Sequence, residues 1–107
     1  MREDREHPIL KRAWEYELIE FSYRKPDGAE SYLDTVLRKG TVTRRLRFYS
    51  PRDLRIEGAG FPSTTGLEIL DVSARQMAGL GVRVANYENS GGAPEFWARA
   101  VDEILEK

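Results

Sequence analysis

Between Arg38 and Arg55 the chain carries seven basic residues, Arg38, Lys39, Arg44, Arg45, Arg47, Arg52 and Arg55, against the single acid Asp53. A guanidinium is planar and presents forked N–H donors that match a carboxylate or a phosphate on two atoms at once. Phe48 and Tyr49 lie in the same run, so forks and aromatic faces together could contact phosphate and stack a base, or hold an acidic protein surface. The candidate contact residues are Arg44, Arg45, Arg47, Arg52, Arg55 and Tyr49. Their stretch has a local charge of +6 in a chain of formal charge −1, which leaves −7 for the rest. Such polarity can be internal, a basic strand between acidic neighbours, or external, a patch that meets an acidic partner. A pI near 5.9 and the lack of an RNA-binding motif favour a protein partner, an acidic one if the patch is external, over nucleic acid.

Other residues could do chemistry of a different kind. Asp34, Asp71 and Glu88 fall in strand-like stretches, and two carboxylates buried together would raise one pKa and supply a general acid. Acids in strands are more often surface groups, or partners here for Arg75, Arg83 or Arg99. The single histidine, His7, sits in a charged run, and the chain has no cysteine. Neither a zinc site nor a Ser-His-Asp arrangement is expected, and no loop alternates acids as a calcium site would. No cofactor is expected. Gly58-Ala-Gly60 and Gly79-Leu-Gly81 read as turns, because neither continues as a dinucleotide or P-loop fingerprint.

The elements that must position these residues are mostly strands. Leu67–Ser73 and Val82–Glu88 are dense in β-branched and apolar residues and form the expected central pair. Val42–Tyr49 alternates, with Val42, Leu46 and Phe48 on one face and Arg45 and Arg47 on the other. Arg44 falls on the apolar face, which predicts a bulge or an arginine at the sheet margin. Lys25-Pro26-Asp27-Gly28 is a turn joining strands Trp14–Arg24 and Ser31–Arg38. A helical turn is expected near Ile9–Arg12, a short strand at Leu54–Glu57, and a loop at 58–66 anchored by Phe61. The spacing of Phe96, Trp97, Ala100, Val101, Ile104 and Leu105 predicts a helix over Pro94–Glu106, although Phe96, Ala98 and Ala100 also alternate.

At 107 residues and 12.3 kDa the chain can enclose one core, so residues 1–107 are read as a single β-rich domain with 1–7 as a loosely held end. An apolar fraction of 40% with 33% charged residues fits a folded, soluble protein. No apolar run approaches the ~18 residues of a spanning helix, and the N-terminus is charged where a signal peptide turns apolar. A cytoplasmic protein without a membrane partner is expected.

Leu46-Arg-Phe48 with Pro51-Arg-Asp-Leu54, Ile69-Leu-Asp-Val-Ser73, Val82-Arg-Val84 with Tyr87-Glu88, and Phe96-Trp-Ala98 together resemble small bacterial β-domain proteins, some of the toxin-immunity kind. The resemblance implies an antiparallel β-sandwich or half-barrel, with Phe96–Val101 a strand ahead of a shorter helix, and brings no functional residues. The fold expected is mainly β, a sandwich or half-open barrel of about six or seven strands with a C-terminal helical element. The expected function is a non-enzymatic interaction or inhibitor module. Its rivals are a nucleic-acid or small-molecule binder on an open sheet face and a carboxylate-dependent enzyme. If Arg45 and Arg47 point to water, replacing both with glutamine should move the melting transition by no more than ~0.5 kcal/mol in stability. A variant that unfolds would make them internal partners of neighbouring acids.

Overall fold

The computed structural model describes residues 5–55, 66–73, 79–86 and 94–104. In chain order these form β1 (Arg5–Glu6), a 3₁₀ turn (Ala13–Glu15), β2 (Glu17–Arg24), β3 (Tyr32–Lys39), β4 (Val42–Tyr49), β5 (Arg52–Arg55), β6 (Leu67–Asp71), β7 (Val82–Asn86), β8 (Glu95–Ala98) and β9 (Ala100–Glu103). There are two antiparallel sheets, ordered β2-β3-β4-β9 and β1-β6-β7-β8-β5. The described residues include no α-helix, and no helix among them is long and apolar enough to cross a membrane.

The strong local signals form the expected elements. Gly28 and Gly40 take φ of +70° and +61° at the β2–β3 and β3–β4 turns, a region that side chains with a Cβ disfavour. In the second sheet β6 pairs with β7 in unbroken register, Ile69 opposite Val84.

The junctions differ from expectation. Ser50-Pro51, read as a strand break, is a bend through which β4 continues into the other sheet as β5. Likewise β8 continues into β9 through Arg99. The expected C-terminal helix is therefore two strands. Phe96 and Ala98 are buried in β8 and Val101 in β9. The bend inserts an odd step between two period-2 runs, and spacings of two and three together imitate a helical stripe. Open ladder positions on β4 and β7 then decide for strand, as tertiary pairing commonly overrides local pattern. The expected strand Trp14–Arg24 begins only at Glu17, because Ala13–Glu15 makes a turn that buries Ala13 completely. Within the supposedly loose end, Arg5 and Glu6 pair with Asp71 and Leu70, and the His7 amide donates to the Ile69 carbonyl. Ile56 and Glu57, the loop with Phe61, Arg75, the stretch from Tyr87 to Gly92, and Leu105 and Glu106 lie outside the described residues.

The inner faces of both sheets meet in one cluster. Leu18, Leu33, Leu37, Leu46, Phe48 and Val101 come from the first sheet, and Leu67, Ile69, Val82, Val84, Phe96 and Ala98 from the second, closed at one end by Leu10 and Ala13. Phe48 and Phe96 meet edge-to-face across the sheets, centroids 5.1 Å apart at 88°. Beside the bend, the Gly81 amide donates to the Ala98 carbonyl, and an added Cβ at Gly81 would lie 2.8 Å from the Arg99 carbonyl oxygen. Ile69→Ala should cost about 2–5 kcal/mol in denaturant unfolding, since Ile69 is fully buried. Gly81→Ala should cost about 1–3 kcal/mol, since the atom in its way is backbone. Unchanged unfolding of either variant would mean that these strands are not where the core is built.

Candidate functional site

The six candidate contact residues do not share one surface. Arg44 stands on the inward phase of β4 with Leu46 and Phe48 and reaches the sheet margin. There it binds Glu103 of β9 by two bonds, at 2.5 and 2.8 Å, and donates to the Ile9 carbonyl at 3.3 Å. Of the two outcomes its phase allowed, a bulge or a marginal arginine, it is the second, and the register with β3 is unbroken there. The Glu103 carboxylate raises its pKa, against a smaller opposite effect of burial.

Arg45, Arg47 and Tyr49 alternate outward, as expected, but into a surface that already holds their counterparts. Arg45 is half-buried opposite Val36 of β3. Arg47 is opposite Asp34 on one side and Asp102 on the other. Its fork closes on Asp34 at 2.8 and 3.0 Å while its guanidinium lies 4.0 Å from the centre of the Tyr32 ring. Tyr49 is half-buried below the Arg99 guanidinium, 5.5 Å from the ring centre. Burial first, and then Asp102, raises the pKa of its hydroxyl. Arg38 and Lys39 are paired with Glu17 and Glu15. Arg38, Lys39, Arg44 and Arg47 are therefore paired with acids within the fold.

At the bend itself the Arg99 amide donates to the Tyr49 carbonyl at 2.8 Å, and the Ser50 amide donates to the Ser31 carbonyl at 2.8 Å. Ser50 has φ of 51°, a costly value for a residue with a side chain. Over it sits a small network: Arg99 binds both oxygens of Glu30 at 2.6 and 2.8 Å, and the Ser50 hydroxyl donates to the same carboxylate at 2.5 Å. These bonds, Arg99 first and Ser50 second, hold the Glu30 carboxyl at about 2.

Past the bend the situation reverses. Arg52 and Arg55 are exposed on β5, with no acid partner among the described residues. Arg52 pairs with Trp97 and Arg55 with Glu95, so three steps along β5 oppose two along β8. That is a bulge, and Asp53 supplies the extra residue at φ 56°. In a regular strand residues three apart face opposite ways. The bulge instead brings both arginines to the face that carries Trp97 and Glu95, since Phe96 and Ala98 point into the core. On the next strand Arg83 lies 4.7 Å from the Trp97 ring centre and 3.7 Å from a Glu95 oxygen. Asp53, Leu54, Arg55, Arg83, Glu95 and Trp97 line an open cleft of about 430 Å³. Its groups offer forked donors, two carboxylates and apolar surface, which suits binding of a charged group beside an apolar one.

Trp97, Arg83 and Leu54 are not among the contact residues expected from the sequence; Trp97 lay in the expected helix, and the cross-strand neighbours of Arg83 and Leu54 depend on a pairing no local pattern specifies. Read as a strand, Phe96-Trp-Ala98 would have turned Trp97 outward. The acids expected as a possible catalytic pair are not together: Asp34 is in the first sheet, Asp71 in the second, and Glu88 outside the described residues. Asp71 accepts from the Ser73 hydroxyl and amide at 2.6 and 3.0 Å, which lowers its pKa, the opposite of what a general acid needs. His7 accepts from the Ile9 amide at 3.1 Å, and burial lowers its pKa against the pull of Asp71. Among the described residues no three or more His, Cys, Asp or Glu side chains group as metal ligands.

Two outcomes check this geometry. Arg47→Gln alone should destabilise by about 1–2 kcal/mol, because it leaves the carboxylate of Asp34, a half-buried residue, without its fork. Chemical denaturation showing no loss would mean that Asp34 is solvated without it. A carboxyl held below its ordinary 4.5 stabilises the fold above that value and loses the contribution as pH falls through about 2. Wild type should therefore melt above Glu30→Gln at neutral pH, and the difference should shrink between pH 4.5 and 2. Parallel curves across that window would show that Glu30 does not titrate there. Comparison with protein-family models, with curated proteins and with solved structures finds no match to this chain.

Proposed function

We propose that the protein is a non-enzymatic cytoplasmic interaction or inhibitor module that holds a protein partner on the outer face of β5, β8 and β7. The observation that carries this reading is the Asp53 bulge, which places Arg52 and Arg55 beside Trp97, exposed and without an acid among the described residues. Tryptophan and arginine are among the residue types enriched at the energetic centres of protein interfaces. The two arginines sit apart from the ion pairs that tie Arg44 and Arg47 into the first sheet, so they contribute little to its stability. Exposed Leu54 adds apolar surface at the cleft. The toxin-immunity resemblance of the strand pattern agrees with such a role.

The rival readings have less support. A nucleic-acid surface needs a track of unneutralised cations, and Arg38, Lys39, Arg44 and Arg47 are spent on acids. A carboxylate enzyme needs two acids brought together, and Asp34 and Asp71 belong to different sheets.

The test is a pull-down from cell extract with three forms of the protein, wild type, Arg52→Gln/Arg55→Gln and Arg47→Gln, at low and moderate salt. A protein retained by wild type and by folded Arg47→Gln, released by moderate salt and lost from the double variant is the expected result. The double variant should melt within ~0.5 kcal/mol of wild type. Retention that the double variant keeps, or that nuclease treatment abolishes, contradicts the proposal.

A further inference from the structure

We infer, resting on the interaction reading above, that this face recognises an extended acidic segment of the partner, with carboxylates two residues apart, laid along β5. The spacing comes from the bulge. Because Arg52 and Arg55 stand opposite Trp97 and Glu95, they are separated by two residues' length of β8, or ~6.6–6.8 Å along the strand. An extended chain sends every second side chain to one face, so acidic-x-acidic presents two carboxylates at that interval. Each can take one guanidinium fork. A segment with acids three apart would send one of them to the other face.

The place along β5 also suits an extended occupant. β5 is the last strand of its sheet, with none beyond it among the described residues. A strand added at that edge would extend the sheet. The strand is short and bulged, which limits indiscriminate edge pairing and leaves selection to side chains. Leu54 and Trp97 supply apolar contact between the charged positions.

Charge decides between a protein segment and a nucleic acid. Glu95 is already held by Arg83, and Asp53 offsets one of the two β5 arginines, so the face has a small positive excess. Two carboxylates match it, whereas a phosphate at every residue would meet Asp53 and Glu95 as well. Asp53 also gives a distinctive variant. Asp53→Gly keeps the positive φ and removes an acid, while Asp53→Val places a β-branched residue where it is strongly disfavoured.

Fluorescence polarisation with labelled synthetic peptides on the full chain tests this. The set has Glu-x-Glu, Glu-x-x-Glu and Lys-x-Lys in the same neutral nine-residue background, and a single-stranded oligonucleotide of similar length. Expected is binding of Glu-x-Glu about three- to tenfold tighter than Glu-x-x-Glu, with no binding of Lys-x-Lys. Arg52→Gln and Arg55→Gln should each abolish the preference, Asp53→Gly should keep or strengthen it, and Asp53→Val should weaken it. Equal binding of the two acidic peptides by folded wild type overturns the inference, as does binding that survives both glutamine variants. Tighter binding of the oligonucleotide overturns it in favour of nucleic acid. If the peptides are indifferent while an extract protein still depends on Arg52 and Arg55, the spacing is wrong and the interaction reading stands. If neither depends on them, both fall.

Discussion

The fold depends on one shared bend. Two antiparallel strand pairs, β4 with β9 and β5 with β8, are the two halves of one long pair that passes from sheet to sheet at Ser50 and Arg99. The Arg99 amide to Tyr49 carbonyl bond keeps the ladder closed at the turn, so neither half can slip without the other. Register in the first sheet therefore sets register in the second. That places Phe48 and Phe96 face to edge and closes the core between them. A glycine at position 81 follows from the same constraint, because the Arg99 carbonyl occupies the space a side chain would need.

The bend also divides the basic run by use. Before it, alternation sends Arg45 and Arg47 to an outer face where Asp34 and Asp102 stand in the same cross-strand row, and Arg44 to a margin that Glu103 shares. Cross-strand pairs of opposite charge each contribute a few tenths to 1 kcal/mol, and a fork stacked on Tyr32 lies at the strong end. After it, the same run continues into a sheet whose opposing outer-face residues are Trp97 and Glu95. Glu95 is engaged with Arg83, so β5 keeps charge that the fold does not use. One stretch of sequence thus serves structure on one side of Ser50 and supplies exposed cations on the other.

Much of the first half of this was readable. Val42–Tyr49 declared its two faces by alternation, Pro26, Gly28 and Gly40 declared their turns, and the odd phase of Arg44 declared either a bulge or a marginal arginine. Two things were hidden. Which acids would stand beside Arg47 depends on register between strands far apart in sequence, and no local pattern specifies Asp34 and Asp102 as neighbours. The bends were hidden for a different reason. Ser50-Pro51 signals an interruption without saying whether the chain leaves the sheet or crosses to another. At Arg99 no glycine or proline marks the change of phase, so two strands read as one helical stripe. With that helix assigned, Trp97 had no reason to face Arg52, and the cleft could not be assembled from sequence.

Positive φ at residues other than glycine distinguishes the two places where the long strand pair departs from regularity. Among the described residues such angles occur at Arg12, Ser50 and Asp53, and each costs on the order of 1 kcal/mol against an extended conformation. At Ser50 the compensation is visible: its amide is bonded to Ser31, its hydroxyl to Glu30, and the bend it makes closes the core. At Asp53 it is not, since the side chain has no hydrogen bond or ion pair among the described residues, and the bulge follows the bend without being needed to make it. Removing one residue there would give β5 a regular ladder against β8, with Arg52 and the following arginine still on one face. What the bulge adds is an acid at the mouth of the cleft, between two cations. Positive φ held without a local partner is found more often where the local shape serves a contact. The proposed surface at β5 rests on that ground, while Arg44 and Arg47 of β4 are tied to acids of the first sheet.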